Sequence, residues 1–409
     1  MRKIIFFTCL YIVSLLFPCF SFPQEEYEVF VTNIMVPVRV YEEDRFVADL
    51  TLQDLELYED GKLQEIKALY LTRDNHIERT DAERDYMPIL SRRFYFLFQT
   101  LDFNPKITDA IEHFFYNIFQ PGDVVVVQTP IKVYTLSPDA VQKSPKETLI
   151  KDMQAVIRKD TQIGAIEYNN LLDTLKRNVR MISSVMGDTT TMRDIESGGG
   201  DVTSGNIPLS LMEYRETLQK MEQLRVMHEK WFLRFAAQLR KLEQQKVVFF
   251  FYQREYRPEI SSRVMNRLIT QYADSPSMLS MVQELFQTYH REINFDYALL
   301  ERAFADSDIL FNFIFMSKTP DASSGLSMRE QSEDVFKLFS SVSEATGGVV
   351  DNSQNPAAAF KRVADISESY YILYYSPKEY TRDGKFKKIE VKIKNRSCKV
   401  IHRLGYFAD

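Results

Sequence analysis

Phe94-Tyr95-Phe96-Leu97-Phe98, running into Gln99-Thr100-Leu101-Asp102-Phe103, is the stretch on which the fold turns. Five consecutive large apolar residues with no polar alternation describe a strand covered on both faces, as in a parallel sheet between helices. Ile107 to Phe119 then has helical spacing, Val124-Val125-Val126-Val127 reads as a second buried strand, and Ile131-Lys132-Val133-Tyr134 as a shorter one. Lys246 to Tyr252 and Ile309 to Phe315 supply two more central strands. This alternation predicts an α/β fold with a doubly wound, mostly parallel sheet over residues 90–367.

Working outward, both flanks are β-rich. Val29-Phe30-Val31 and Ile34 to Tyr41 have β-branched, partly alternating character. Leu55-Glu56-Leu57-Tyr58 leads into Glu59-Asp60-Gly61-Lys62, where Asp-Gly between apolar runs signals a tight hairpin. The charged stretch Arg73 to Arg84 separates this N-terminal segment, residues 22–72, from the α/β domain. Downstream, helices are expected at Glu333 to Ala345 and Pro356 to Ile366, on either side of Thr346-Gly347-Gly348-Val349-Val350. Ser369 to Tyr375, Phe386 to Lys394 and Lys399 to Arg403 read as strands of a C-terminal segment, residues 368–409, with Asp383-Gly384 turning between the first two. Neither β segment has enough strands to close a core, so the two are expected to pair in one small β-sandwich with the α/β domain inserted between them. Strand alternation sends Tyr371 and Tyr375 to one face and Tyr370 and Tyr374 to the other, which favours core packing over a recognition surface.

Residues 144–245 form a long helical insertion broken by a Gly-, Ser- and Thr-rich tract from Gly187 to Gly205, expected to be a mobile loop. After it, Leu211, Tyr214, Leu218, Met221, Leu224, His228, Phe232, Phe235, Leu239 and Leu242 recur at spacings of three and four. One helix from Leu209 to Gln244 would be about 50 Å long. Its spacing fits either packing on its own sheet or a projecting interaction arm.

At the start, Arg2 and Lys3 precede an apolar run from Ile4 to Phe17, the order of a secretory signal, with cleavage expected after Ser21 and an uncleaved N-terminal anchor as the alternative. The chain is therefore expected to be exported, to the periplasm or beyond. Loss of residues 1–21 removes two cations from a chain whose net charge is already −6, so no basic field invites nucleic acid. It also removes Cys9 and Cys19, leaving Cys398 without a disulfide partner and best read as a buried inert thiol. No later run is apolar enough to span a bilayer. His76, His113, His228, His290 and His402 lack zinc-ligand spacing, no Gly-x-Ser-x-Gly occurs, and Gly198-Gly199-Gly200 lacks the Lys-Ser/Thr of a phosphate loop. Enzyme chemistry has little footing, and no cofactor is expected.

Three phrases carry a family resemblance. Val36-Pro37-Val38-Arg39-Val40 through Tyr58-Glu59-Asp60-Gly61-Lys62 is the first, and Phe94 to Phe98 with Gln120-Pro121-Gly122-Asp123-Val124 the second. Ala345-Thr346-Gly347-Gly348, Ser369 to Tyr375 and Leu404-Gly405-Tyr406 make the third. Together they resemble the von Willebrand factor type A-related family of exported bacterial proteins and frame nearly the whole chain apart from residues 145–245. In metal-binding type A domains an Asp-x-Ser-x-Ser run follows the first strand and helps to hold magnesium. Here the matching positions are Gln99, Leu101 and Phe103, and Arg254 follows the fourth strand, so the resemblance implies a degenerate, metal-free site. A shifted register using Asp102 and Asn104 is opposed by Lys106, and Asp102 is better read as capping the helix that starts near Pro105.

The resemblance puts Gln99, Asp102, Asn104, Gln253 and Arg254 on the binding face, at the strand ends where open α/β sheets take ligands. The expected function is a metal-independent, non-catalytic extracytoplasmic module that binds another protein. Two alternatives stay open: a component of a secreted or membrane-associated assembly docking through its long inserted helix, and a metal-dependent adhesion protein with a shifted site.

Overall fold

The computed structural model describes residues 32–409 except 44, 83–85, 188–205, 226–227, 290–294, 321–325, 353–354, 356, 359 and 363–367. The expected leader and the strand at Val29 to Val31 lie outside the described residues, as do most of the Gly187 to Gly205 tract and parts of the helix expected over Pro356 to Ile366.

The N-terminal part contributes β1 (Ile34–Glu42), β2 (Arg45–Phe46), β3 (Leu55–Glu59), β4 (Lys62–Gln64), β5 (Ile66–Arg73) and β6 (His76–Ala82). The β3–β4 turn is the two-residue hairpin that Asp60-Gly61 predicts: Glu59 pairs with Lys62, and both turn residues have positive φ, +47° and +79°. The charged stretch after Arg73, expected to separate this segment from the α/β domain, adds a strand to it. His76 to Ala82 pairs antiparallel with β5, from Arg73↔His76 to Ala68↔Ala82, and its charged side chains suit an exposed sheet edge.

The middle of the chain runs β7 (Arg92–Gln99), α1 (Lys106–His113), β8 (Val124–Gln128), β9 (Val133–Leu136), α2 (Pro138–Lys143), α3 (Lys146–Gly164), α4 (Ile166–Val185), α5 (Ile207–Arg225) and α6 (Glu229–Arg240). It continues through β10 (Gln245–Gln253), β11 (Tyr256–Glu259), α7 (Ser262–Gln271), α8 (Pro276–Tyr289), α9 (Tyr297–Asp306), β12 (Ile309–Met316), β13 (Ser327–Glu330), α10 (Glu333–Ala345) and β14 (Val350–Asp351). The protein is thus mixed α/β. Its central sheet has the order β14-β12-β10-β7-β8-β9, parallel except for β9. Alternation divides β7 as its sequence requires. Phe94, Phe96 and Phe98 pack with α1 and α3, while Tyr95 and Leu97 pack with α6, α9 and α10. Each buried aromatic contributes roughly 1.5–3 kcal/mol of transfer free energy.

The long helix expected from Leu209 to Gln244 is broken. His228 takes an extended conformation, ψ 105°, and caps α6. The two halves serve different cores. Leu211, Tyr214, Leu218 and Met221 of α5 pack with α4, α7 and α8, whereas Phe232, Phe235 and Leu239 of α6 face the central sheet. The boundaries of the expected insertion shift as well: Leu149, Ile150, Met153 and Ile157 of α3 belong to the sheet's own core, and α7 and α8, outside residues 144–245, complete the helical one.

The C-terminal strands are β15 (Ser369–Tyr375), β16 (Phe386–Ile393), β17 (Lys399–His402) and β18 (Gly405–Phe407). They interleave with the N-terminal strands in two sheets. One has the order β17-β1-β15-β5-β6 with β2 beside β1, the other β18-β16-β3-β4. Their facing sides share one core that includes Val36, Val38, Val40, Leu57, Leu373 and Val391. Asp383-Gly384 does not close a hairpin between β15 and β16, because those strands lie in different sheets. Tyr371 and Tyr375 enter this shared core, and Tyr370 and Tyr374 pack on the opposite side with Tyr70. Cys398, expected to be buried, is half-buried at the margin.

Two of the phrases behind the family resemblance have structural explanations. Asp123 is buried and takes a two-pronged contact from Arg92, Nε to Oδ1 at 3.0 Å and Nη2 to Oδ2 at 2.6 Å. The Gln120 amide donates to the same carboxylate at 2.8 Å, so Pro-Gly-Asp fastens the start of β8 to that of β7. In Thr346-Gly347-Gly348, Thr346 Oγ1 accepts from the Phe311 amide at 3.2 Å. A Cβ on Gly348 would lie 1.8 Å from the Phe311 carbonyl oxygen, so only glycine fits against β12.

Candidate functional site

The sheet order makes the chain wind outward from β7 through β8 to β9 and then return to β10 on the other side of β7. The crevice beyond the carboxyl ends of β7 and β10 is therefore the topological switch point, the position at which open α/β sheets take ligands. Of the five residues singled out from the sequence, the structure brings Gln99, Asp102 and Gln253 together here. Gln99 is the exposed last residue of β7 and lies beside Tyr252 in the β10 register.

Gln253, the last residue of β10, is buried and turned inward. Its Oε1 accepts from the amides of Leu101 and Asp102, each at 2.9 Å. One side-chain carbonyl thus holds the loop after β7 and satisfies two donors at a strand end. Asp102 is not a helix cap. Asn104 does that work, its Oδ1 accepting from the Lys106 amide at 3.0 Å, while the Asp102 carboxylate meets Lys318 Nζ at 2.6 Å. Arg254 lies over the Phe315 ring, 4.9 Å from its centroid, and pairs with Glu330 at 3.3 Å, so it is directed toward β12 and β13.

The residue set does not fit a magnesium ion. Leu101 and Phe103 offer no oxygen, Gln253 Oε1 already accepts two amides, and the Asp102 carboxylate has an ammonium against it. Among the described residues no group of three His, Cys, Asp or Glu side chains is placed to hold a metal.

Beside this loop opens a cleft of about 400 Å³. Leu101, Asp102 and Lys318 form one wall, Tyr168, Asp173 and Lys176 of α4 another, and Tyr256 and Met328 of the β11–β13 ribbon a third. Sequence reasoning missed the α4 and ribbon residues because helix packing brings them in from outside the family pattern. Lys318 had a signal: it falls just after the end of β12, the strand next to β10, where a side chain reaches the switch point. The cleft mixes apolar, aromatic and both signs of charge, a surface suited to a polypeptide segment rather than to a single small ion.

No family model matches this sequence, and no curated protein matches it. One solved structure, the crystal structure of the human COPII-coat protein Sec24c, is similar with a TM-score of 0.26 and 8% identity, covering 85% of this chain and 46% of that chain. The chain spans less than half the length of that structure. A likeness at this level bears on neither fold family nor function. No helix among the described residues is long and apolar enough to cross a membrane.

Proposed function

We propose that this chain is a non-catalytic protein-binding module, in which a von Willebrand factor type A-like domain presents the cleft at the ends of β7 and β10 to a segment of another protein, without a metal. The N- and C-terminal strands form a β-sandwich that carries this domain, and the basic-then-apolar leader sends the protein out of the cytoplasm. The observation that carries the reading is the self-contained loop after β7. Gln253 holds its amides and Lys318 neutralises Asp102, so the crevice is pre-shaped without a cation. The strand order and the antiparallel edge strand β9 support the type A reading, and the pairing of β1 with β15 and of β3 with β16 supports the sandwich.

A photo-crosslinking residue at Asn169, on the cleft wall, tests the proposal against the same residue at Leu63, an exposed position on β4. Position 169 should capture a protein that position 63 does not. Identical captures, or none from 169, would sink the cleft as the binding face.

A second reading, docking through the helical insertion, draws support from apolar side chains exposed on it: Met181 and Val185 of α4, and Leu209 and Met212 of α5. Met181 Sδ receives the Ser210 hydroxyl at 3.0 Å, which places these residues at one end of the helix pair. Leu209→Lys with Met212→Lys should abolish a native assembly on sedimentation if this reading holds, and leave it unchanged if the cleft does the binding.

A further inference from the structure

The α4 wall of the cleft continues past the cleft itself. Ile166, Asn169, Asp173 and Lys176 fall on one stripe of α4, and the last three line the cleft. Ile166 stands about 15 Å along the helix from Lys176, and it is 55% exposed. A Cβ on Gly164, the last residue of α3, would lie 2.7 Å from Cβ of Pro130 and 3.7 Å from Cγ1 of Ile131. Glycine there lets the β8–β9 turn close on the α3–α4 junction. Ile131 on that turn is 49% exposed, and Ile163, beside the glycine, 47%. Three large aliphatic side chains therefore face solvent where the cleft wall begins, the kind of exposed apolar surface that marks an interaction site.

The charges along this run are unequally placed. In each of the two ion pairs of the cleft the cation is the more enclosed member. The Lys318 side chain is 23% exposed against 53% for Asp102, and that of Lys176 15% against 72% for Asp173. Exposed ion pairs are weak, so either carboxylate can turn into solvent and leave its ammonium to a partner's carboxylate at little cost. On the isoleucine side, Lys132 lies over the Tyr134 ring at 5.4 Å and Arg158 of α3 over the Phe103 ring at 4.8 Å. Both are exposed. Asp160, in the same turn of α3 as Arg158, is buried and accepts from the Thr129 and Tyr134 hydroxyls at 2.8 and 2.9 Å, so it faces away from any partner. Glu167 is the exposed carboxylate of the α3–α4 junction.

We infer that the partner segment is an acidic and aliphatic stretch of another protein, with carboxylates received by Lys318 and Lys176 and apolar side chains laid on Ile131, Ile163 and Ile166. This rests on the cleft being the binding face and adds what that face selects. A span of about 15 Å is covered by roughly five extended residues, so a short linear segment reaches from the isoleucines to the lysines. Asp102 then occupies, within the chain itself, the position that the partner's carboxylate takes.

A random peptide library displayed on phage and panned against the full chain tests this. The selected peptides should combine Asp or Glu with Leu, Ile or Val, and should crosslink to a photoreactive residue at position 169. In fluorescence polarisation, Lys318→Glu should weaken the best of them by about tenfold or more, because it sets like charges against each other at the contact. Asp102→Asn should tighten binding, and Ile131→Ser with Ile166→Ser should weaken it several-fold. All of these side chains are at the surface, and circular dichroism of each variant should match wild type. Peptides that crosslink at position 169 without an acidic preference, or that Lys318→Glu leaves equally tight, would overturn this inference while keeping the cleft. A library yielding no peptide that crosslinks at position 169 would overturn the cleft and the inference together.

Discussion

Tyr375 donates its hydroxyl proton to Oε2 of Glu59 at 2.6 Å across a separation of 316 residues. Tyr406 donates to the same oxygen at 3.0 Å, so one buried carboxylate ties together β3, β15 and β18 from both sheets of the flanking β unit. Burial first, and the Glu59 bond second, push the Tyr375 hydroxyl far above its ordinary range, so it remains a donor at any working pH. Tyr375→Phe should therefore lower stability by about 1.5–3 kcal/mol, the usual loss for a hydrogen bond to a charged group. Urea unfolding monitored by circular dichroism measures it, and a loss below about 0.5 kcal/mol would show that Tyr406 alone satisfies Glu59.

Asp123 and Arg92 make the complementary case, a buried ion pair whose members are costly apart. Burial raises the Asp123 carboxyl above its ordinary value even with the guanidinium beside it. Asp123→Ala should cost about 3–5 kcal/mol, because Arg92 is left buried and uncompensated. The double variant Arg92→Met, Asp123→Leu should recover at least half of that loss. A double variant as unstable as the single one would place the cost in the Gln120 amide rather than in the orphaned charge.

His402 gives a pH dependence with a definite sign. Its Nδ1 is 2.8 Å from the Arg403 carbonyl, and Nε2 is 3.3 Å from the Val391 amide, an arrangement that suits a neutral ring donating from Nδ1 and accepting at Nε2. Burial holds its pKa below the ordinary histidine value. The unfolded chain, with a pKa of about 6.5, takes up the proton first, so the stability His402 contributes is present above that pH and is lost as pH falls toward the lower folded value. His402→Gln should flatten the loss of stability as pH falls below about 6.5 when urea midpoints are compared. An unchanged slope would assign that pH dependence to other groups.

The Lys318 ammonium against Asp102 predicts how an engineered metal site would behave. Gln99→Asp, Leu101→Ser and Phe103→Ser together would place oxygen ligands after β7, yet Mg²⁺ titration should produce heat only when Lys318→Ala is added. Circular dichroism of each variant verifies folding. Binding by the triple variant with Lys318 retained would show that the lysine yields to the ion.

Asn312 is fully buried in β12, where its amide donates to the Val248 carbonyl at 3.2 Å and its oxygen accepts from the Val349 amide at 3.1 Å. Asn312→Leu should cost about 1–3 kcal/mol through the stranded amide of Val349, despite adding apolar surface. Hydrogen exchange of that amide should accelerate in parallel.

Most of the central sheet was legible because β7, β10 and β12 are apolar throughout, and only a strand covered on both faces has that composition. The Asp60-Gly61 hairpin was legible for a local reason, since both residues need positive φ. The break at His228 was not, because the three- and four-residue spacing continues across it while the buried stripe passes from the α4 core to the central sheet. The strand at His76 to Ala82, inside the charged stretch expected to separate the N-terminal segment from the α/β domain, was not legible because an edge strand can carry charge on both faces. At the candidate site, the switch-point residues could be placed by their strand ends. What each side chain touches depended on partners such as Lys318, after β12, and Glu330 of β13, which lie far from it in sequence.

The interleaving of the first and last strands imposes an order on biosynthesis. Val36 of β1 lies opposite Leu373 of β15, so β1 has no central partner until almost the whole polypeptide has been made. At ~5–20 residues per second, that is a wait of roughly 20–60 s. The α/β part can assemble meanwhile, and the nascent N-terminal strands remain open templates for any other extended chain nearby. The protein is therefore most vulnerable to mispairing before its last strands emerge, and a chain stopped short of β15 is left with sticky edges rather than a smaller stable fold.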